Sequence, residues 1–464
     1  MQFKNSGNND SAPKCANVII ANLSKNSRYL FLSFCLLFSL ISCGKKEKSK
    51  GDKITITFWH SFVASTIPAL EDLIEQYETE NPKVEIKAQY VPTGDALIQK
   101  LITAIQSKTA PDISWIHSDF LADLVDADAI YEMDHFIKGE NGLSQSELED
   151  IYPALLQYSS LRKKLYCIPM EATNLALIYN IDMVKEAGYQ DGRAPSNWEE
   201  LEKYAEQLSK DFNNDGKFDR IGFFLPIFPA AGPLSGWMVW QWIPYLWQAG
   251  GYIIAEDQSK VLYNSEAGVK ALTLWKNIYD KLNLRTFTTD YDVSFASKLV
   301  AMAMDGPWNL PRFNRMLQNL NWSFAPLPKG PVKQATICGG EYLVIFKQSE
   351  HPDEAWSFVK WIIRPDIQAR WSMKSGYLPV RRSASELPEF KAYLEENPNF
   401  KVFIDQMEFA QVQRSMDYGA LQITRHMAEA IEEATLGGGD PKEALDKAAA
   451  KSNKVLQSYW KNAK

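Results

Sequence analysis

The sequence predicts an α/β fold built on a mostly parallel sheet, and three observations predict it. Residues 53–116 alternate between apolar patterns of period two and period 3.6, the rhythm of βαβαβ units. At 464 residues the chain is long enough for two or three lobes rather than one. Its composition, 45% hydrophobic and 23% charged, suits a packed core and excludes a disordered, collagenous or polytopic membrane chain. The net charge of −7 also excludes a general nucleic-acid binder, which needs a basic footprint.

The elements follow in order. In KITITFW (53–59), Ile54, Ile56 and Phe58 share one face. Leu70, Leu73, Ile74 and Tyr77 then take helical spacing, and Val84, Ile86, Ala88 and Tyr90 alternate again. Leu97, Leu101, Ile102 and Ile105 form a second helical stripe before the short apolar strand DISWI (112–116). Ligands of such sheets sit at the carboxyl ends of the strands, so the loops after Trp59, Val91 and Ile116 come first as site candidates.

A second α/β region spans about 172–300, with helices expected at 197–210 and 265–283 and a strand at IGFFLP (221–226). Between them DFNNDGKFD (211–219) matches the early positions of a calcium loop at Asp211, Asn213, Asp215 and Gly216. Gly222 stands where the closing Glu belongs, and an Asn-Asp-Gly turn explains the same residues. Residues 228–252 are dense in Gly, Pro and Trp, whereas Trp356 and Trp361 fall in an apolar helical pattern that reads as core. The tail, 421–460, reads as two amphipathic helices split by LGGGDP (436–441).

The strongest apolar run, YLFLSFCLLFSLI (29–41), has 13 residues. That fits the apolar core of a secretory signal and falls short of the roughly 20 residues a spanning helix needs. Lys25 and Arg28 precede it, and Leu40-Ile41-Ser42-Cys43 ends it like a bacterial lipobox, whose Cys becomes the lipidated N-terminus. Residues 1–42 are thus expected to be a lipoprotein signal peptide, and 43–52 a lipidated polar tether. Removing 1–42 takes four basic residues and Asp10, leaving 46 Lys+Arg against 56 Asp+Glu. Cys167 and Cys338 are then the cysteines beyond the anchor, either bridged in an oxidising compartment or buried as separate thiols.

No Walker loop, H-E-x-x-H, G-x-S-x-G or paired C-x-x-C occurs, and the five histidines lack ligand spacing. Nothing supports an enzyme, and no cofactor or metal is implied.

From residue 53 to 460 the chain resembles the family 1 extracellular solute-binding proteins of ABC importers, which include binders of maltose, multiple sugars and glycerol-3-phosphate. The resemblance is carried by ITFWHSF (56–62), YETENPKVEI (77–86), IPMEATNLALIYN (168–180), MAMDGPWNL (302–310), APLPKGP (325–331), CGGEYLVI (338–345) and SGYLPVRRSA (375–384), in that order. It implies the two-lobe, type II periplasmic-binding-protein fold, with discontinuous lobes, hinge strands and a ligand cleft between them. The expected lobes are 53–167 with 303–345, and 168–302 with 346–464. The partners implied are a small-molecule sugar, the transmembrane subunits of a permease, and the membrane through a lipid on Cys43; the receptor itself is expected to be a monomer.

Residue by residue, the resemblance points to Trp59, His60 and Ser61 at the exit of the first strand, and to Asp95, Ser118 and Asp119 after later strands. Core packing or helix capping explains each of these as well. It points further to Glu171 at the first hinge crossing, Trp308 after Gly306-Pro307, Gly340 and Glu341, Tyr377 in the GYLP turn, and Arg381, although Gly340 could equally relieve a tight strand and Arg381 pair on the surface. Trp237 and Trp240 are candidate stacking residues of the second lobe. Aromatic faces suit the C–H faces of sugars, and polar side chains suit their hydroxyls.

One departure concerns the ligand. Related glycerol-3-phosphate binders carry an Arg after Pro-Gln-Ile, whereas Leu421-Gln422-Ile423-Thr424-Arg425 places Arg425 one position late, turned roughly 100° on a helix. A neutral mono- or oligosaccharide is therefore preferred. A glycerol-3-phosphate or glycerophosphodiester receptor is the alternative, and a surface carbohydrate-active enzyme or adhesin a more distant one.

Overall fold

β-Branched and aromatic residues alternate along Ile54–His60 because one face is buried, with Ile56 and Phe58 fully enclosed. In the computed structural model, which describes residues 53–284, 290–413 and 416–462, this is strand β1. The later strands are β2 (Val84–Tyr90), β3 (Ile113–Ile116), β4 (Ile168–Asn174), β5 (Ala176–Asn180), β6 (Met302–Asp305), β7 (Trp322–Ala325), β8 (Thr336–Ile345) and β9 (Ala410–Val412). The helices that matter below are α1 (Ile67–Glu80), α2 (Asp95–Ser107), α3 (Ser235–Gln248), α4 (Glu266–Lys281), α5 (Pro352–Ile362), α6 (Pro365–Ser375), α7 (Ala420–Ala434) and α8 (Pro441–Asn462).

The first sheet runs β9-β8-β3-β1-β2, with β4 beside β8. β1 is parallel to β2 and β3, as the alternating pattern requires, because α1 and α2 supply the crossovers. Pro68 sits in the first turn of α1, where its missing N–H costs nothing, and Leu70, Leu73 and Tyr77 are buried. β8 runs antiparallel to both β3 and β4. Its register sets Tyr342 opposite Ile116 and Glu341 opposite Glu171.

The second sheet, β6-β5-β7, is small and wholly antiparallel. Only residue 175 separates β4 in the first sheet from β5 in the second, so the chain crosses between the sheets there, just after the expected 167–171. The return differs more: β6 pairs in the second sheet, and the chain re-enters the first only at β8. Residues 352–375 also pack on the first sheet rather than the second. Phe358 of α5 meets Phe58 and Tyr77, and Arg370 of α6 bonds Asp72 of α1 at 3.0 Å. The tail packs on residues 261–264, where Asn453 accepts from Val261 N–H and Asp446 accepts from Asn264.

IGFFLP forms no strand; Ile221 makes one isolated bridge to Val300. Gly222 explains this, since a Cβ there would lie 2.0 Å from the Ala205 carbonyl oxygen. The segment is pressed onto helix Trp198–Leu208, where Gly222 N–H donates to Ser209 Oγ at 2.8 Å. The 211–219 loop closes on itself: Asp211 accepts from the N–H of Asp215 and Gly216, with Gly216 at φ +83°. Among the described residues no cluster of His, Cys, Asp and Glu is arranged to hold a metal. Cys167 and Cys338 are separate buried thiols. Residues 53–464 form one compact unit, and none of its described helices is long and apolar enough to cross a membrane. The signal run, Cys43 and the tether lie outside the described residues.

Candidate functional site

Aromatic rings from both sheets meet where the chain crosses between them. Trp237 and Trp240, one turn apart on α3, stack at 5.3 Å and are half-buried while the rest of that helix is largely enclosed. Trp308, in the turn after β6, lies edge-on to Trp237 at 5.6 Å and 6.2 Å from Trp240. Gly306 makes room for it, since a Cβ there would fall 1.7 Å from the Trp308 ring. Tyr377 follows at 6.4 Å, presented by the turn that ends α6. Gly376 in that turn has φ +86°, and a Cβ on it would lie 2.3 Å from the Pro307 carbonyl oxygen. From Tyr377 the wall continues through Phe62 to Trp115, Trp371 and His60, at ring separations of 5.2–6.1 Å.

Beside these rings stand two carboxyl groups. The β4–β8 register places Glu171 opposite Glu341. Trp371 Nε1 donates to Glu171 Oε2 at 2.7 Å, whereas Glu171 Oε1 and Glu341 Oε2 have no donor from the protein. Burial holds the Glu171 carboxyl well above the usual range, and Glu341 reinforces this by its charge and its hydrogen-bonding reach.

His117 completes the group, its Nε2 3.7 Å from Glu341 Oε1. The imidazole is crowded by protein yet 47% exposed, as a side chain on a cleft wall should be. Burial opposes its charge, but Glu341 and Asp119 outweigh this and raise its pKa. Burial raises Asp119 as well, against the pull of His117. His60 titrates near 4, lowered by burial, and is neutral at neutral pH. Beneath Trp308, Asp305 is enclosed by Tyr291 Oη, by Asn309 Nδ2 at 2.8 Å and by Gly306 N–H at 2.7 Å; burial lifts it to about 7.

Flat rings with polar groups at their margin are thus drawn together from two sheets joined by crossing strands. Comparisons with known proteins bear on the fold and the family. A family profile described as bacterial extracellular solute-binding protein matches residues 72–401. This chain belongs to that family. A binding protein of Brucella abortus is 25% identical over 402 residues, covering 85% of this chain and 92% of its own. The sn-glycerol-3-phosphate-binding periplasmic protein UgpB of Escherichia coli is 24% identical over 432 residues, covering 88% and 94%. The crystal structure of a cyclic α-maltosyl-1,6-maltose binding protein from Arthrobacter globiformis superposes with a TM-score of 0.73 at 24% identity, covering 88% of this chain and all of that one. The fold is accordingly the two-lobe solute-binding fold. By its family the chain is an extracellular solute-binding protein rather than an enzyme.

In this solute-binding protein the structure brings together Trp237, Trp240, Trp308, Tyr377, Glu171 and Glu341. His60 and Ser61 flank Phe62 at the end of β1, and the Ser61 hydroxyl is buried without a partner. Trp59 lies apart, with Lys100 Nζ 4.1 Å from its ring centroid. Asp119 faces His117. Asp95 opens α2 and Ser118 opens a 3₁₀ turn, but their side chains are not among those described. Two expectations are corrected. Gly340 is spent on strand packing, since a Cβ would meet the Glu171 carbonyl oxygen at 2.2 Å; its neighbour Gly339 is the one that faces Trp240. Arg381 reaches neither the cluster nor the surface, because it is buried in an ion pair with Asp150 at 2.6 Å.

Sequence reasoning missed Phe62, Trp115, His117 and Trp371. His117 follows directly on Ile116, a strand end whose loop the pattern had marked. Trp371 sits on the buried stripe of a helix and carried no such signal.

Proposed function

We propose that this protein is a lipid-anchored receptor that captures a mono- or oligosaccharide by hinge closure and delivers it to the permease of an ABC importer. The observation that carries the reading is the meeting of Trp237, Trp240, Trp308 and Tyr377 at the joint between the sheets. Rings from both lobes can sandwich a sugar ring, and polar groups beside them can bond its hydroxyls. A ligand touching both lobes favours the closed state, which is what a permease would read. Cys43, at the end of the signal-like run, would tether the receptor to the membrane through 44–52.

The similarity to UgpB favours a second reading, with glycerol-3-phosphate or a glycerophosphodiester as ligand. Against it, Glu171 and Glu341 are carboxyl groups, and Arg425 stands exposed on α7. Intrinsic Trp fluorescence of residues 53–464, titrated with sugars, glycerol-3-phosphate and glycerophosphocholine, separates the two. Saturable binding of a sugar, weakened in Trp237→Ala, supports the first reading; binding confined to the phosphate compounds would overturn it.

A further inference from the structure

The charge of the cleft wall points to the kind of sugar. Glu171 is fully buried and Glu341 is 8% exposed, each with one oxygen lacking a protein donor. Two more acids stand nearby: Asp119 beside His117, and Asp305 beneath the Trp308 turn. Glu341, Glu171 and Asp305 all act on the Tyr377 phenol. Among the described residues, the basic group paired with these carboxyls is His117, and it faces Glu341 alone in an ion pair.

The rings add to this field. The π face of an aromatic side chain carries partial negative charge and attracts cations. Trp308 and Tyr377, 6.4 Å apart, present such faces beside the carboxyl pair. Elements from four parts of the chain thus converge on one electrostatic character. Glu171 comes from β4, Glu341 from β8, Tyr377 from the end of α6, and the Trp308 turn from the end of β6. A phosphate entering here would meet carboxyl oxygens, which are acceptors where a phosphate needs donors.

Resting on the reading of the protein as a sugar receptor, we propose that its ligand is an amino sugar whose protonated amine seats between Glu171 and Glu341. The ammonium donates to the two oxygens that the protein leaves without donors, and the sugar ring lies against Trp308 and Tyr377. Trp371 Nε1 holds Glu171 in position, Trp115 lies beside the same carboxyl, and His117 stays on the outer side of Glu341.

Titration calorimetry of residues 53–464 tests this with matched sets of hexoses, hexosamines and N-acetylhexosamines, as monosaccharides and as disaccharides. The expected result is that one hexosamine binds at least about tenfold tighter than its hydroxyl and N-acetyl counterparts, the ratio worth about 1.4 kcal/mol. In Glu341→Gln the preference should collapse. Tighter binding of the neutral counterparts would overturn the amine assignment and leave the sugar reading standing. Failure of every sugar to bind, from a folded protein, would overturn both.

Discussion

The Arg162 guanidinium lies 4.2 Å from the centroid of the Tyr418 ring, donates to the Asp417 carbonyl at 3.2 Å and pairs with Asp126 at 2.7 Å. Arg162 belongs to the 160–165 hairpin, tied to the first lobe by the bond from Met133 N–H to the Leu165 carbonyl. Tyr418 leads into α7, and Asp417 N–H donates to Gln258 of the second lobe. Arg162 and Lys163 both hold positive φ, 50° and 66°, in a turn of the kind where Asn-Gly is the usual solution. A strained turn therefore presents a cation across the joint.

Because this clasp links the hairpin of the first lobe to the segment held by the second, Arg162→Ala should release ligand faster. Cation–π contacts at exposed sites contribute about 0.5–1 kcal/mol, which is roughly two- to fivefold in dissociation rate. Stopped-flow fluorescence measures that rate; an unchanged value would rule out a role for the clasp in holding the lobes.

Gly376 sets the distance between Trp308 and Tyr377. Gly376→Ala would place a methyl against the Pro307 carbonyl at positive φ, costing about 1–2 kcal/mol for the backbone alone and more for the clash. A lower urea midpoint and a changed near-ultraviolet dichroism spectrum are expected. A variant as stable as the parent would show that the turn relaxes freely.

Asp305 should make stability fall as the pH rises. Its folded pKa, raised to about 7 by burial, exceeds the unfolded value of 3.8, so the native state holds the extra proton between these values. The contribution is fully present below the lower value and is lost as the pH rises through the upper one. His60 works the other way, because its lowered pKa of about 4 removes stability as the pH falls below 6.5. The Asp305→Asn variant isolates the first effect. Relative to it, the wild type should lose ground between about pH 4 and 7, read from urea unfolding across that range. A constant difference would contradict the buried protonated form.

Cys167 and Cys338 should resist alkylation in the native protein. Burial pushes both thiols up, Cys338 to about 12, so little thiolate forms at neutral pH. Mass spectrometry after iodoacetamide treatment should find both unmodified until denaturant is added. Rapid labelling of either would place it in an accessible position.

The first lobe was legible because its strands follow one another with helices between them, so period two and period 3.6 alternate visibly from Ile54 to Ile116. The second sheet was not, because β5, β6 and β7 pair across gaps of more than a hundred residues, and no local period reports such pairing. IGFFLP carries a strand pattern that Gly222 diverts onto a helix, a contact visible only in three dimensions. Within the site, aromatic and acidic residues next to turns were readable from their neighbours, as at Gly306-Pro307-Trp308 and Gly376-Tyr377. Gly340 misled because a glycine beside another backbone and a glycine beside a ligand look alike in sequence. Arg381 misled because only the fold brings Asp150 to it.

The central claim is that a sugar is held between the two lobes by rings from both. A crystal structure with bound sugar tests it most directly. The account predicts a sugar ring within about 4 Å of Trp308 and Tyr377, with its polar groups in reach of Glu171 and Glu341. A sugar resting on one lobe alone, or bound away from these four residues, would contradict it.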